Sequence, residues 1–131
     1  MKYMLMMAHR KTGGDPIGTW PPQDIKAHIA FMIGMNQELS ANGELVSAQG
    51  LAGPEEAKVI RAAKDGSPIT DGVFPESKEF LAGYWVLDVE SPERVYAIAA
   101  RISAAPGRNG LPLNMPIEVR QIMAGPPPDM L

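Results

Sequence analysis

The residues of this chain best suited to moving a proton are a histidine within an apolar stripe, His28, and an aspartate beside a glycine, Asp71. A histidine titrates near neutrality, so it gives or takes a proton at physiological pH. At 100° per residue, Ile25, His28, Ile29, Met32, Met35, Asn36 and Leu39 fall on one helix face, which predicts that His28 is buried. It reads either as a rim or core histidine with one satisfied hydrogen bond or as a general acid/base. Asp71 has two readings as well. Aspartate before glycine is a turn residue that bonds its own backbone. A carboxylate within reach of an imidazole also fixes the ring tautomer and stabilises the protonated form.

Further candidates follow the Asp71-Gly72 turn. Lys78 can hold an anion and Glu79 can orient it or act as a second base, although the two also read as a solvated surface pair worth under about 1 kcal/mol. Tyr84 offers a hydroxyl or a core ring. Arg120, if it lines a cleft, favours a carboxylate ligand. Phe74 of the same loop joins Lys78, Glu79, Tyr84 and Arg120 as a ligand-binding candidate. His9 ends the first strand, beside a loop, and reads as a surface histidine. Two histidines nineteen residues apart, without clustered carboxylates, lack metal-ligand spacing, so no metal and no cofactor is expected. Gly13-Gly14 and Gly50 to Gly53 lack the flanks of a phosphate loop.

Composition narrows the classes. The chain has 131 residues, 45% hydrophobic and 21% charged, which suits one globular domain over 1–124 with a proline-rich tail over 125–131. A net charge of -3, with Arg10-Lys11 the longest basic cluster, argues against nucleic acid. The absence of cysteine excludes disulfides and thiolate chemistry. No run has the length of a membrane span, and the apolar start is too brief for a signal peptide, so a cytoplasmic protein is expected.

The elements that must position these residues follow from periodicity and punctuation. Tyr3 to Ala8 reads as a buried strand, and His9 to Trp20 as a loop, either a flap or disordered. Pro21-Pro22 opens a helix that Asn42-Gly43 ends after Ala41. Glu44 to Gln49 is a short strand; Ala57 to Ala63 and Pro68 to Thr70 form a hairpin about Asp65-Gly66. Leu81 to Val89 is the next strand. Ser91-Pro92-Glu93 starts a helix with Val95, Ile98, Ala99 and Ile102 on one face, ending at Pro106-Gly107. Ile117 to Ile122 alternates as a half-exposed strand.

The order βαβ, hairpin, βαβ predicts an α+β fold, a ferredoxin-like antiparallel sheet with two helices on one face. Apolar residues on both faces of Tyr84 to Leu87 predict that a second subunit covers the other face.

The segment Asp71-Gly72-Val73-Phe74-Pro75-Glu76-Ser77-Lys78-Glu79, with Ala82-Gly83-Tyr84, resembles the signature of the DGPF-domain branch of the YCII-related proteins. Met1 to Leu5 is similar to the family's opening strand and Ile117 to Arg120 to its closing one. Val73 stands where the family has proline, Ser77 where it has threonine, and Ala82 where it has glycine. The resemblance implies a dimeric ferredoxin-like α/β barrel, a homodimer with a cleft on each subunit, and a histidine–aspartate pair. One relative is a hydrolase of a chlorinated ring compound, and some members of the branch are associated with sigma factors.

Three functions fit. The first is a cofactor-independent enzyme using His28 and Asp71 on a small organic molecule. The second is a small-molecule binding or sensing protein with the same cleft, linked to sigma-factor regulation. The third is an interaction module docking a partner through its sheet and the Gly125 to Leu131 tail.

Overall fold

The computed structural model describes residues 1–10, 15–71 and 79–130. Six strands and two helices follow in the order β1 (Lys2–Arg10), α1 (Pro22–Ala41), β2 (Leu45–Gly50), β3 (Val59–Ala62), β4 (Pro68–Asp71), β5 (Glu79–Asp88), α2 (Pro92–Ser103) and β6 (Ile117–Gln121). The fold is α+β. Four strands form an open antiparallel sheet ordered β2-β5-β1-β6, while β3 and β4 make a separate two-stranded hairpin.

Alternation along the strands decides what each face meets. Tyr3 and Leu5 of β1 and Trp85 and Leu87 of β5 are buried, and they join Met35 and Leu39 of α1 and Val95, Ile98, Ala99 and Ile102 of α2 in one core. Both helices therefore lie over the same face of the sheet. Each such large apolar side chain stabilises the fold by roughly 2 kcal/mol through burial. The other face carries Met4, Met6, Tyr84 and Val86, which are only half-buried.

Local chemistry sets the boundaries of the helices. Ser91 caps α2 by accepting a hydrogen bond from the Arg94 backbone N–H at 3.2 Å, and Pro92 takes the first helical position, where no N–H is needed. Pro22 likewise takes the first position of α1, after Pro21, which supplies no side-chain cap, and Gly43 follows the helix end with a φ of +82°. A bidentate bond joins the two halves. Arg94 donates from Nη2 and Nε to the Glu44 carboxylate at 2.7 and 2.8 Å, tying the first turn of α2 to the start of β2.

Some expected boundaries are corrected. β1 runs on to Arg10, opposite Glu79, because β5 begins two residues earlier than its apolar run and offers a partner. Within the expected 9–20 loop, Ile17–Thr19 is a turn of 3-10 helix. The apolar stripe of α1 is narrower than expected: Ile29 is 48% exposed and His28, expected to be buried, is only half-buried, while Met35 and Leu39 are buried. The sheet-facing arc is centred on His28, Met32, Met35 and Leu39, and Ile29 sits 100° round from His28.

Candidate functional site

Between α1 and the β2–β5 pair a cavity of about 170 Å³ opens. Its walls include His28, Met32 and Asn36 of α1, which recur at every fourth residue and so form one row along the helix. Facing them are Met7 of β1, Ala48 of β2 and Trp85 of β5. Two glycines, Gly50 and Gly83, lie directly opposite each other across the β2–β5 pair at its floor. A Cβ on Gly83 would come 3.0 Å from the carbonyl oxygen of Gln49 and 3.8 Å from the Met7 methyl, so the close strand approach here needs glycine.

The geometry of His28 carries chemical information. Its Nδ1 lies 3.0 Å from the backbone carbonyl oxygen of Pro106. A carbonyl oxygen only accepts, so Nδ1 must carry the proton that makes this bond. In the neutral ring the lone pair is therefore on Nε2. No described residue bonds Nε2, and among the described residues no unpaired side-chain nitrogen or oxygen is sealed from solvent. Nε2 is thus an accessible base. The ring also meets the indole of Trp20 edge to face, with centroids 5.6 Å apart and planes at 81°.

A network of side chains holds the Pro106 carbonyl in place. The segment Ala105 to Leu113 closes on itself through Gly107 N–H to Leu111 O at 2.7 Å and Leu113 N–H to Ala105 O at 3.0 Å. Arg108 then clamps it to the segment before α1. Its Nη2 and Nε donate to the Asp15 carboxylate at 2.9 and 3.0 Å, and Nη2 also donates to the Thr19 carbonyl and hydroxyl, each at 3.0 Å. The hydrogen bond from Arg108 holds the Asp15 carboxyl below the usual aspartate range. Trp20 Nε1 donates to the Asp15 carbonyl at 3.0 Å, and the Asn109 backbone N–H donates to Asp24 of α1 at 3.0 Å. These contacts fix both the ring that meets His28 edge to face and the carbonyl that orients it.

The far end of the row is built differently. Trp85 Nε1 donates to Asn36 Oδ1 at 2.8 Å. This bond gives the buried indole its partner, and it accounts for a polar residue within the apolar stripe.

The other candidates lie apart from this cluster or outside what is described. Asp71 ends β4 of the hairpin, where its Oδ2 accepts from Arg61 Nε at 3.2 Å on an exposed surface. No hydrogen bond joins it to His28 among the described residues. Tyr84 is half-buried and borders the cavity. Arg120 is exposed opposite Met4, on the sheet face away from the helices, since its neighbour Val119 packs on the core. In the β1–β5 ladder the backbone of His9 lies opposite Phe80 and that of Glu79 opposite Arg10. Phe74 and Lys78 lie outside the described residues. Pro106, Arg108 and Asp15 went unrecognised in the sequence: a main-chain acceptor has no signature, and Asp15 and Arg108 are 93 residues apart.

A second hollow of about 350 Å³ lies among Leu51, Gly53, Pro54, Ala57, Phe80 and Leu81. It offers apolar walls and the Glu56 carboxylate but no base of the His28 kind. Among the described residues no group of three histidine, cysteine or carboxylate side chains is arranged to hold a metal ion, and no helix is long and apolar enough to cross a membrane.

No curated protein matches the chain. The sequence profile of the YCII-related domain matches residues 1–117, which take in both helices and every described strand but β6, of which only Ile117 is included. With an α+β fold, and a match over so much of its length, the chain belongs to the YCII-related domain family.

Proposed function

We propose that this protein binds a small, ring-sized organic molecule in the cavity beneath α1 and moves a proton on it through His28 Nε2, without a cofactor. The observation that carries the reading is the 3.0 Å bond from Nδ1 to the Pro106 carbonyl, which leaves the lone pair on Nε2 of a residue that lines the cavity. The size of the site supports it. A sealed protein cavity of roughly 150 Å³ accommodates benzene, and this one, which opens to solvent, has a similar volume of about 170 Å³. Asp71 takes part as the second member of a pair only when its bond to Arg61 opens, so the base role rests on His28 and its main-chain partner.

The ion-paired state of Asp71 equally favours a second reading, a binding or sensing protein that uses the same cavity and leaves its ligand unchanged. The finer architecture belongs to the proposal too: a DGPF-branch, ferredoxin-like protein in which Met4, Met6, Tyr84 and Val86 pack on a second copy to close a dimeric barrel. The strand order β2-β5-β1-β6 and the half-buried apolar face support it. A monomer in sedimentation at micromolar concentration would refute the dimer.

The site is tested by following the His28 ring nitrogens by NMR during titration with toluene, phenol and 2-cyclohexen-1-one. At least one is expected to move the Nε2 resonance. If none does, the site reading fails. Deuterium incorporation into a bound probe in D₂O, lost in His28→Gln, separates the enzyme from the sensor.

A further inference from the structure

We propose that Asn36 is the second anchor of this site, and that the site selects an uncharged ring compound bearing a carbonyl group. The inference rests on the proposed role of His28 and adds the chemical class of ligand.

The amide of Asn36 can face only one way. An indole N–H is a donor and never an acceptor, so the atom 2.8 Å from Trp85 Nε1 must be the amide oxygen. The Asn36 NH₂ group is thereby left to donate elsewhere. No described residue accepts from it, and no unpaired polar side-chain atom among the described residues is sealed from solvent, so this group is accessible on a residue that lines the cavity. The site thus has two directional groups, a donor at Asn36 and a base at His28 Nε2. Their residues stand about two helical turns apart, a backbone rise of about 12 Å, and both line the cavity of about 170 Å³.

The walls between these groups set the charge of the ligand. Met7, Met32, Ala48 and Trp85 are apolar and offer an ionised group placed against them no partner for the hydration it gives up, so they favour an uncharged one. An uncharged carbonyl compound satisfies the donor through its oxygen and rests its ring on the apolar walls. The proton step then balances. The C–H bond next to the carbonyl, or conjugated with it, breaks and its proton passes to Nε2. The released electron pair forms a carbon–carbon double bond, and the carbonyl π pair moves onto the oxygen that Asn36 holds. Return of the proton to the same carbon or to a conjugated one restores neutral His28.

The test compares 2-cyclohexen-1-one with toluene in wild type, Asn36→Leu and Trp85→Phe, reading both the Asn36 side-chain NH₂ and His28 ring resonances. The enone is expected to bind roughly three- to tenfold more tightly than toluene in wild type, the range of one neutral hydrogen bond, and to shift both residues. Asn36→Leu is expected to abolish that preference. Trp85→Phe keeps Asn36 but frees its amide to rotate, and is expected to weaken the preference. Circular dichroism establishes that each variant is folded. Equal binding of enone and toluene, with the His28 signal moving and Asn36 still, overturns the role of Asn36 but leaves the His28 site standing. Failure of every probe to move His28 overturns both.

Discussion

The Nδ1 of His28 and the carbonyl oxygen of Pro106, 78 residues apart in the chain, lie 3.0 Å from each other. This bond converts a histidine on a helix into a base with a defined direction. A main-chain carbonyl is the simplest possible orienting group, because it holds the ring whatever side chain stands at that position. The cost is that the carbonyl must itself be held, and Arg108 does that.

The first prediction concerns that hold. In wild type, long-range ¹H–¹⁵N spectra of the neutral His28 ring should show a protonated Nδ1 and an unprotonated Nε2. Arg108→Ala removes all five hydrogen bonds from this side chain to Asp15 and Thr19 and should let the Pro106 carbonyl drift, giving a mixture of tautomers. Arg108→Lys keeps the charge but not the fork, and should recover the wild-type pattern only in part. A pure Nδ1–H tautomer in Arg108→Ala would show that the clamp plays no part in orienting His28.

A second prediction follows from Asp15, with the sign set by linkage. Its carboxyl is held below the ordinary value of 3.8, chiefly by the hydrogen bond from Arg108, so the folded state favours the ionised form. That contribution is fully present above the unfolded-state value and is lost as pH falls through the lower folded-state one. The difference in Tm between wild type and Asp15→Asn should therefore be constant near neutrality and shrink as the solution is acidified below about pH 4. A difference that grows on acidification would contradict the assigned direction.

Much of the frame behind these predictions is legible in the sequence, for local reasons. Ser91-Pro92-Glu93 marks the start of α2 because capping chemistry is contained within one turn. Pro21-Pro22 and Asn42-Gly43 bracket α1 equally well. His28 and Asn36 stand out as polar interruptions of an apolar stripe. What the sequence does not display is the long-range partner of each. Asn36 finds Trp85, 49 residues away, in a strand that reads simply as core. His28 finds a carbonyl, which every residue possesses. Asp71 follows the opposite course: its turn context is plain, yet its ion pair with Arg61 depends on the register of β3 and β4, which sets Val59 opposite Asp71.

A third prediction tests the joint between the two halves of the fold. The Glu44 side chain is 15% and that of Arg94 32% exposed, so their bidentate pair is better shielded than an ordinary surface ion pair. The hydrogen bond from Arg94 holds Glu44 below the usual glutamate range. Glu44→Gln, measured by urea unfolding at neutral pH, should cost about 1–2 kcal/mol, since one good acceptor is lost and the guanidinium stays partly buried. The same substitution should cost progressively less at acid pH, where wild-type Glu44 also becomes protonated. An unchanged denaturation midpoint would place this pair among the ion pairs that contribute nothing.

The final prediction concerns Gly83, the point at which fold and cavity meet. Alanine here relieves the unfolded chain of some conformational freedom, which alone would stabilise the protein by about 0.4–1 kcal/mol. Against that, the new methyl would lie 3.0 Å from the Gln49 carbonyl oxygen, a backbone atom held in the β2–β5 ladder, with Gly50 Cα at 3.6 Å and the Met7 methyl at 3.8 Å. Met7 can move, but the backbone oxygen can yield only by displacing the edge strand. Overpacking of this kind costs about 1–3 kcal/mol, so the steric term should exceed the entropic gain. Gly83→Ala should therefore unfold at lower urea concentration than wild type. It should also bind ring-sized probes more weakly, because the methyl projects into the floor of the cavity. A variant as stable as wild type that takes toluene with unchanged affinity would mean that the strands separate freely at this point, and that glycine is not what keeps the cavity open.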